Sequence, residues 1–198
     1  MHEHDQWQAC LERDWQNTVN CPECLADYEI VNKYNQICVD TIRASGGNNA
    51  KRFILIPSLV TSDEAPMHEL FKMPADSASD KLMLAVHNYI WLWSHEEYPT
   101  FTDAMKTRIT NIYSDLNTKF ISKGVPVVID ETGADKWINL QERIDWMTFY
   151  AKLVSGYGIP IVQWDGGDEK GVSQYDRVNL KFYNPELIQT MFNNWQCN

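Results

Sequence analysis

The apolar positions of the chain alternate between helical and extended spacing. After Glu29 they recur at helical spacing, and the Gly46-Gly47 pair ends this predicted helix. Its apolar residues are Ile30, Tyr34, Ile37, Val39 and Ile42. A second helix is predicted over about residues 101–123, and its apolar residues are Met105, Ile109, Ile112, Leu116 and Phe120. Two further helices are predicted, over residues 140–158 and about 185–194.

Four runs rich in β-branched and other apolar residues predict strands, over residues 52–60, 81–89, 125–131 and 159–165. Pro57 is expected to end the first strand early, because proline cannot donate to a strand ladder. Strands that alternate with helices are joined by right-handed crossovers and form a parallel sheet covered on both faces. The sequence therefore predicts an α/β fold.

Residues able to do chemistry stand at the C-terminal ends of three of these strands. His87 and Tyr89 end the second strand, Glu131 the third, and Trp164 and Asp165 the fourth. In a (β/α)8 barrel, active sites are built at this end of the strands. Four strands make half of such a barrel, so the predicted fold class is half of a (β/α)8 TIM-type barrel.

Length and composition indicate one folded domain of 198 residues, 44% of them hydrophobic. The half barrel is predicted to occupy residues 29–198, after a polar, loop-like segment at residues 1–28. A net charge of −10 repels nucleic acids and anionic membranes but not a neutral ligand. No apolar window approaches the roughly 18 residues of a membrane span, and the first residues lack a signal-peptide pattern. Neither nucleic acid nor membrane is thus an expected partner.

The five cysteines cannot all pair within one chain. The sequence CPEC at 21–24 has two specific interpretations: a zinc cluster with His2, His4 and Cys10, or a redox pair. No strand precedes the motif, as a thioredoxin-like site would require. A local disulfide or plain loop thiols are favoured over both.

The strand ends combine the side chains that a sugar site needs. Strand periodicity places Glu131 on the same face as Ile129, and His87 and Tyr89 also share a face. A carboxylate at a barrel mouth can attack an anomeric carbon, while a tyrosine and a histidine position it or contact the substrate. Trp164 offers a flat face on which a pyranose can stack. Each residue alone fits a helix cap, a core histidine or a core tryptophan, but their joint occurrence favours a sugar site.

Several segments resemble, in order and spacing, the second half of the family five glycoside hydrolases of the endo-β-1,4-glucanase (cellulase) type. Among them are LMLAVHNY, GVPVVIDETGA, RIDWMTFYAKLVSGYGIPIVQWDGG and YDRVNLKFYNPELIQTMF. The resemblance covers about residues 29–195. It implies that Glu131 is the catalytic nucleophile. It also implies that His87 and Tyr89 contact the substrate and that Trp164 stacks on a sugar.

The chain departs from this family at three points. Asp130 stands where the family usually has Gly before the nucleophile, and Gly166 stands where it has Asn. The first half of the barrel, with the Asn-Glu-Pro motif whose Glu is the acid/base, has no counterpart. Retaining hydrolysis needs two carboxyl groups about 5–5.5 Å apart, and Glu131 supplies one.

An open four-stranded sheet has two exposed edges and an apolar face, so we expect oligomerisation to complete the barrel. A separate chain or a homodimer would do so, and a truncated fragment would not. In a two-fold homodimer the partner's fourth strand fills the slot of the missing acid. Asp165 of one chain could then serve as acid/base for Glu131 of the other. Less constrained candidates are Glu3, Glu96 and Glu97.

The predicted function is therefore that of a retaining glycoside hydrolase acting on β-1,4-glucan through a glycosyl-enzyme intermediate. No metal or organic cofactor is expected, and the resemblance implies secretion. One alternative is a carbohydrate-binding half barrel that keeps the stacking residues Trp91, Trp93 and Trp164 but lacks turnover. The other is an inactive fragment.

Overall fold

The structure, a computed structural model, describes residues 19, 21–89, 100–167 and 171–196. The helices of this part are α1 (Pro22–Ala44), α2 (Asp103–Lys119), α3 (Leu140–Gly156) and α4 (Pro185–Asn194). Short 3-10 helices lie at Gly47–Ala50, Ala65–His68 and Ile121–Lys123. The predicted last helix is confirmed at both ends.

The strands of the main sheet are β1 (Ile54–Ser62), β2 (Leu82–Asn88), β3 (Val127–Thr132) and β4 (Ile161–Gln163). They follow the order β1-β2-β3-β4, and β3 pairs parallel with β4. The predicted α/β fold with a parallel sheet is therefore confirmed. The sequence did not predict the antiparallel pair β5 (Tyr175–Asp176) and β6 (Lys181–Phe182), which lies in a segment expected to be a polar loop.

Helix α1 begins at Pro22, seven residues before the predicted start at Glu29. Its buried face consists of Cys24, Tyr28, Val31, Asn35 and Val39. Three of the apolar residues that predicted the helix point away from this face, since Ile30 is 41%, Tyr34 54% and Ile37 46% exposed. Helical spacing thus identified the helix but not the side that packs.

Strand β1 continues through Pro57 to Ser62, so the expectation that Pro57 ends it early is wrong. β1 is an outer strand of the sheet, where a proline costs no ladder hydrogen bond on its solvent side. The Pro57 carbonyl accepts a hydrogen bond from Asn35 Nδ2 at 3.0 Å. The backbone of Val60 and Thr61 then takes positive φ angles of 51° and 53°, which bend the last part of the strand.

The chain divides into two compact units. The first comprises the described parts of residues 1–86 and 118–128; here the Tyr28 hydroxyl donates to the Pro66 carbonyl at 2.6 Å. The second unit comprises the described parts of residues 87–117 and 129–198. All of the strand-end residues discussed below belong to this second unit.

Aromatic packing forms the core of the second unit. The rings of Trp146 and Tyr150 on α3 stack with centroids 5.3 Å apart and an interplanar angle of 17°. The Tyr150 hydroxyl lies 2.7 Å from the hydroxyl of Tyr113 on α2. All three side chains are almost fully buried, so paired hydroxyls satisfy each other away from water. This packing fixes α2 and α3, which flank β3 in sequence.

Candidate active site

Glu131 is held by two side chains from the end of β2. The Tyr89 hydroxyl donates to Glu131 Oε2 at 3.0 Å, and His87 Nδ1 lies 3.0 Å from the same oxygen. The side chains of His87 and Glu131 are 17% and 21% exposed, so the cluster is shielded but reachable. The structure thus brings together the three residues that the sequence placed at neighbouring strand ends.

Backbone and hydroxyl hydrogen bonds join the strand ends around this cluster. The Thr132 hydroxyl donates to the Asn88 carbonyl at 2.7 Å, and the Trp164 amide donates to the Thr132 carbonyl at 2.8 Å. Thr132 is fully buried between these partners. The ends of β2, β3 and β4 are therefore fixed relative to one another, which positions the side chains that they carry.

The strand β3 is irregular where it carries the carboxylates. Ile129 pairs with Ile161 and Thr132 pairs with Gln163, so β3 uses one more residue than β4 over this interval. An extra residue in one strand changes the direction of the side chains beside it. The simple alternation that predicted the face of Glu131 therefore does not hold from Asp130 onward.

Asp130 is a member of the cluster that sequence reasoning missed. Its Oδ1 lies 3.4 Å from Nε2 of His87, on the opposite side of the ring from Glu131. The available signal was the departure from the Gly that the family usually has at this position. The departure was visible in the sequence, but the bulge that turns Asp130 toward His87 was not.

Trp164 follows β4 and is 43% exposed. A tryptophan exposed to this degree offers an apolar surface for a ligand, as the predicted sugar stacking requires. The other two predicted stacking residues, Trp91 and Trp93, lie outside the described residues, as do the candidate acids Glu3, Glu96 and Glu97.

Asp165 is held by the backbone of its own loop. Its carboxylate accepts hydrogen bonds from the amides of Gly167 at 2.7 Å, Gln174 at 3.2 Å and Tyr175 at 2.9 Å. The Arg177 guanidinium lies 3.9 Å away. Burial acts to raise the pKa of Asp165, but the three amides and Arg177 outweigh it, and the pKa is lowered. A carboxyl group held in this way stays ionised, whereas a general acid needs a raised pKa.

A family model described as Cellulase (glycosyl hydrolase family 5) matches residues 3–170. The chain belongs to glycosyl hydrolase family 5. The resemblance stated from the sequence is thereby confirmed. Endoglucanase 1 of Ruminococcus albus is 34% identical over 168 residues, which cover 82% of this chain and 41% of that protein. Endoglucanase B of Neocallimastix patriciarum is 33% identical over 178 residues, which cover 82% of this chain and 36% of that protein.

Solved structures of family 5 agree with this assignment. A GH5 family lichenase from Caldicellulosiruptor sp. F32 superposes with a TM-score of 0.82 at 32% identity, over 90% of this chain and 52% of that chain. A mutant of that lichenase has been solved in complex with cellotetraose, with a TM-score of 0.81 to this chain. The family 5 chain thus spans about half the length of these structures and less than half of the curated relatives named above.

The cysteine motif of this family 5 chain is a disulfide between Cys21 and Cys24, the local pairing favoured from the sequence. Cys21 also caps α1, because its Sγ accepts a hydrogen bond from the Cys24 amide at 3.2 Å.

No group of three or more His, Cys, Asp or Glu in the described ranges could hold a metal ion. His2, His4 and Cys10 of the zinc alternative lie outside these ranges. No described helix is long and apolar enough to cross a membrane.

Proposed function

We propose that this family 5 chain carries the nucleophilic half of a retaining glycoside hydrolase that acts on β-1,4-glucan, with Glu131 as the nucleophile. The supporting observation is that the Tyr89 hydroxyl and His87 Nδ1 both lie 3.0 Å from Glu131 Oε2. A carboxylate nucleophile must be oriented toward the anomeric carbon, and two such neighbours hold Glu131 in place. The Glu131 side chain is also reachable by solvent at 21% exposure.

The proposed reaction is a displacement at the anomeric carbon of the glucan. The Glu131 carboxylate forms a bond to this carbon, and the bond to the leaving oxygen breaks. That oxygen keeps the electron pair and takes a proton from the acid, after which water hydrolyses the glycosyl ester. Tyr89 and His87 orient Glu131, and Trp164 supports the sugar ring.

A glycosyl fluoride tests the nucleophile separately from the acid. In 2-deoxy-2-fluoro-cellobiosyl fluoride, the leaving group departs as fluoride and needs no proton. We expect the chain to gain one glycosyl unit, located by mass spectrometry on Glu131. Glu131→Gln should remain unlabelled, because its amide is a poor nucleophile. Glu29→Gln, the same change at an exposed position of α1, should be labelled like the wild type. Labelling elsewhere, or equal labelling of Glu131→Gln, would contradict the proposal.

We further propose that a second copy of the chain completes the barrel and that the acid/base comes from a second chain. β1 and β4 are the outer strands of the described sheet order, and on β4 the Val162 side chain is 51% exposed. An outer strand with an exposed apolar side chain favours association. Light scattering should give the mass of a dimer, and a monomer at micromolar concentration would contradict this proposal.

The role of Asp165 as acid/base in the partner's site stays a prediction, and its contacts argue against it. Mixing Glu131→Ala and Asp165→Ala chains would restore hydrolysis in mixed dimers if the residues act across the interface. Recovery would establish the role in spite of the lowered pKa. Without recovery, while both variants still form dimers, the predicted role of Asp165 as acid/base is wrong.

The second candidate function is carbohydrate binding without turnover, and the 43% exposure of Trp164 supports sugar binding in either function. Calorimetry with cellotetraose and a reducing-sugar assay on the same sample separate the two functions. Binding together with new reducing ends supports hydrolysis. Binding without product, in a chain that the glycosyl fluoride does not label, supports the binding function.

We propose that the protein is exported. The predicted boundary between a loop-like segment 1–28 and a half barrel at 29–198 falls inside α1, so residues 22–28 belong with the half barrel. The Cys21–Cys24 disulfide supports export, because disulfides persist mainly in oxidising compartments. Thiol titration of the protein as isolated from its source should find this pair oxidised. Free thiols at both positions would count against export.

A further inference from the structure

The His87 ring lies between two consecutive carboxylates of β3. Glu131 Oε2 is 3.0 Å from Nδ1, and Asp130 Oδ1 is 3.4 Å from Nε2. We propose that Asp130 is a positioning residue, which lies against the Nε2 side of His87 and orients the ring so that Nδ1 faces Glu131. The functional consequence of this role rests on the proposed function of Glu131 as nucleophile.

The bulge in β3 explains how two adjacent residues reach one ring. In a regular strand, successive side chains point to opposite faces of the sheet. Between Ile129 and Thr132, β3 carries one more residue than the matching interval of β4. Bulges are frequent beside active sites, where they redirect a side chain. Here the two carboxylates end up on opposite sides of the same imidazole.

Ionised carboxylates accept hydrogen bonds and donate none, which constrains the ring between them. Both contacts are attractive only when each ring nitrogen carries a hydrogen. The titratable groups that face the ring in the described structure are Asp130 and Glu131 from β3 and Tyr89 from the end of β2, whose ring meets that of His87 edge-on at 6.4 Å. The His87 ring therefore lies between the carboxylates of Asp130 and Glu131, and Asp130 restricts how the ring can turn.

The side chains also show why Asp130 acts through His87. The Asp130 side chain is 30% exposed, and it meets the cluster at Nε2 of the ring, the nitrogen remote from Glu131. Glu131 in turn has its own donor in Tyr89. Removing Asp130 should therefore change the orientation of the His87 ring directly. It should change the orientation of Glu131 only through that ring.

Nitrogen NMR of the whole chain labelled with ¹⁵N-histidine tests the contact without requiring turnover. Loss of signals in His87→Gln assigns the ring. We expect the resonance of Nε2 to differ between the wild type and Asp130→Asn, because the substitution removes the charge 3.4 Å from this nitrogen. Asp115→Asn removes an exposed carboxylate of α2 and should leave the ring unchanged. Asp130→Ser replaces Asp130→Asn if the latter does not fold. An unchanged His87 ring in a folded Asp130 variant overturns the proposal.

The rate of labelling by the glycosyl fluoride gives the second measurement. Loss of the charge beside Nε2 of His87 predicts a rate lower by roughly 3- to 10-fold in Asp130→Asn, the range of a typical single polar interaction. Asp130→Glu keeps the carboxylate and should recover part of this loss, which a merely structural role would not require. If the wild type is not labelled but its ring responds to Asp130→Asn, the proposed function fails and the positioning contact stands. If Asp130→Asn is labelled at the wild-type rate, the positioning role is wrong.

Discussion

Glu131 and Asp165 are carboxylates at the ends of neighbouring strands, and they differ in what holds them. Side chains hold Glu131, namely the Tyr89 hydroxyl and the His87 imidazole. Backbone amides hold Asp165, namely those of Gly167, Gln174 and Tyr175. Side-chain donors can shift when a substrate arrives, whereas backbone donors fix the shape of a loop. The comparison teaches that the type of donor, rather than the position at a strand end, separates a chemical role from a structural one.

The position of each carboxylate oxygen sharpens this difference. The Tyr89 hydroxyl and the His87 imidazole meet the same oxygen of Glu131, Oε2. The donors to Asp165 meet both of its oxygens, because Gly167 and Arg177 face Oδ1 while Gln174 and Tyr175 face Oδ2. A group held at both oxygens has little freedom to approach another molecule. Asp165 therefore fits a loop anchor better than a proton donor.

The largest effect is expected from shortening Glu131. In Glu131→Asp the carboxylate stays ionised but retreats by about the length of one methylene from Tyr89 and from the anomeric carbon. A misplacement of about 1 Å can cost roughly 100-fold in rate, so labelling by the glycosyl fluoride should fall by about that factor. The melting temperature should stay within about 2 °C of the wild type, because Glu131 is not part of the packed core. A labelling rate within tenfold of the wild type would show that the position of this carboxylate is not critical.

Asp165→Asn should give the reverse result, with lost stability and retained labelling. The amide keeps one acceptor but brings an NH2 group against the backbone amides. Hydrogen bonds to a charged group contribute roughly 1.5–3 kcal/mol, so we expect the free energy of unfolding to fall by about 2 kcal/mol at neutral pH. Labelling of Glu131 in the folded protein should stay within twofold. Urea denaturation and the labelling rate measured on the same sample check both.

The pH dependence of this loss has a definite sign. Because the folded-state pKa of Asp165 is lowered from 3.8, the ionised group stabilises the fold above the unfolded-state pKa. That contribution disappears as the pH falls through the folded-state pKa. The stability difference between wild type and Asp165→Asn should therefore be constant from pH 7 to about pH 5 and shrink below about pH 4. A difference that grows on acidification would contradict the lowered pKa.

The sequence predicted the order of elements better than the faces that they pack. Periodicity located α1, yet its apolar residues Ile30, Tyr34 and Ile37 are exposed. The buried face includes the polar Asn35, which hydrogen-bonds the Pro57 carbonyl. Such a pairing depends on a distant strand, and a local pattern does not contain it. The continuation of β1 past Pro57 was missed for the same reason, because only the sheet order shows that β1 is an outer strand.

At the site, the sequence predicted which residues meet but not how each is held. Strand ends of a parallel sheet gather at one edge, so the meeting of His87, Tyr89 and Glu131 follows from the alternation of elements. The bulge at Asp130 and the loop amides around Asp165 depend on backbone geometry between distant segments. The position of Asp165 at a strand end, combined with the symmetry of an assumed dimer, therefore made it look like a possible acid, while Asp130 was given no role.

Tyr89→Phe should have a moderate effect that isolates one of the two side-chain donors. The variant keeps the ring and its edge-on contact with His87 but removes the hydroxyl that donates to Glu131. A hydrogen bond to a charged group predicts a labelling rate lower by roughly 10-fold or more. The stability should change little, because the lost hydroxyl is partly exposed. If labelling is unaffected, His87 alone orients the carboxylate and the comparison rests on one donor.

Gly133→Ala should have the smallest effect, and it tests whether the two carboxylate sites are independent. A Cβ at Gly133 would lie 2.8 Å from Gln163 Nε2 and 3.2 Å from Val172 Cβ. The Gln163 side chain can rotate away, but Val172 has to shift to make room for the added methyl group. Val172 immediately precedes the segment whose amides, those of Gln174 and Tyr175, donate to Asp165.

Mild overpacking of this kind predicts a loss of about 1 kcal/mol in the free energy of unfolding. Gly156→Ala adds the same methyl group at the end of α3, where it meets no atom within 4 Å, and should be neutral or slightly stabilising. If the strain passes to the loop of Asp165, the loss appears in urea denaturation while labelling of Glu131 stays within twofold. A labelling rate that falls in step with stability would mean that the loop anchored by Asp165 also sets the position of Glu131, and the division between a chemical and a structural carboxylate would no longer hold.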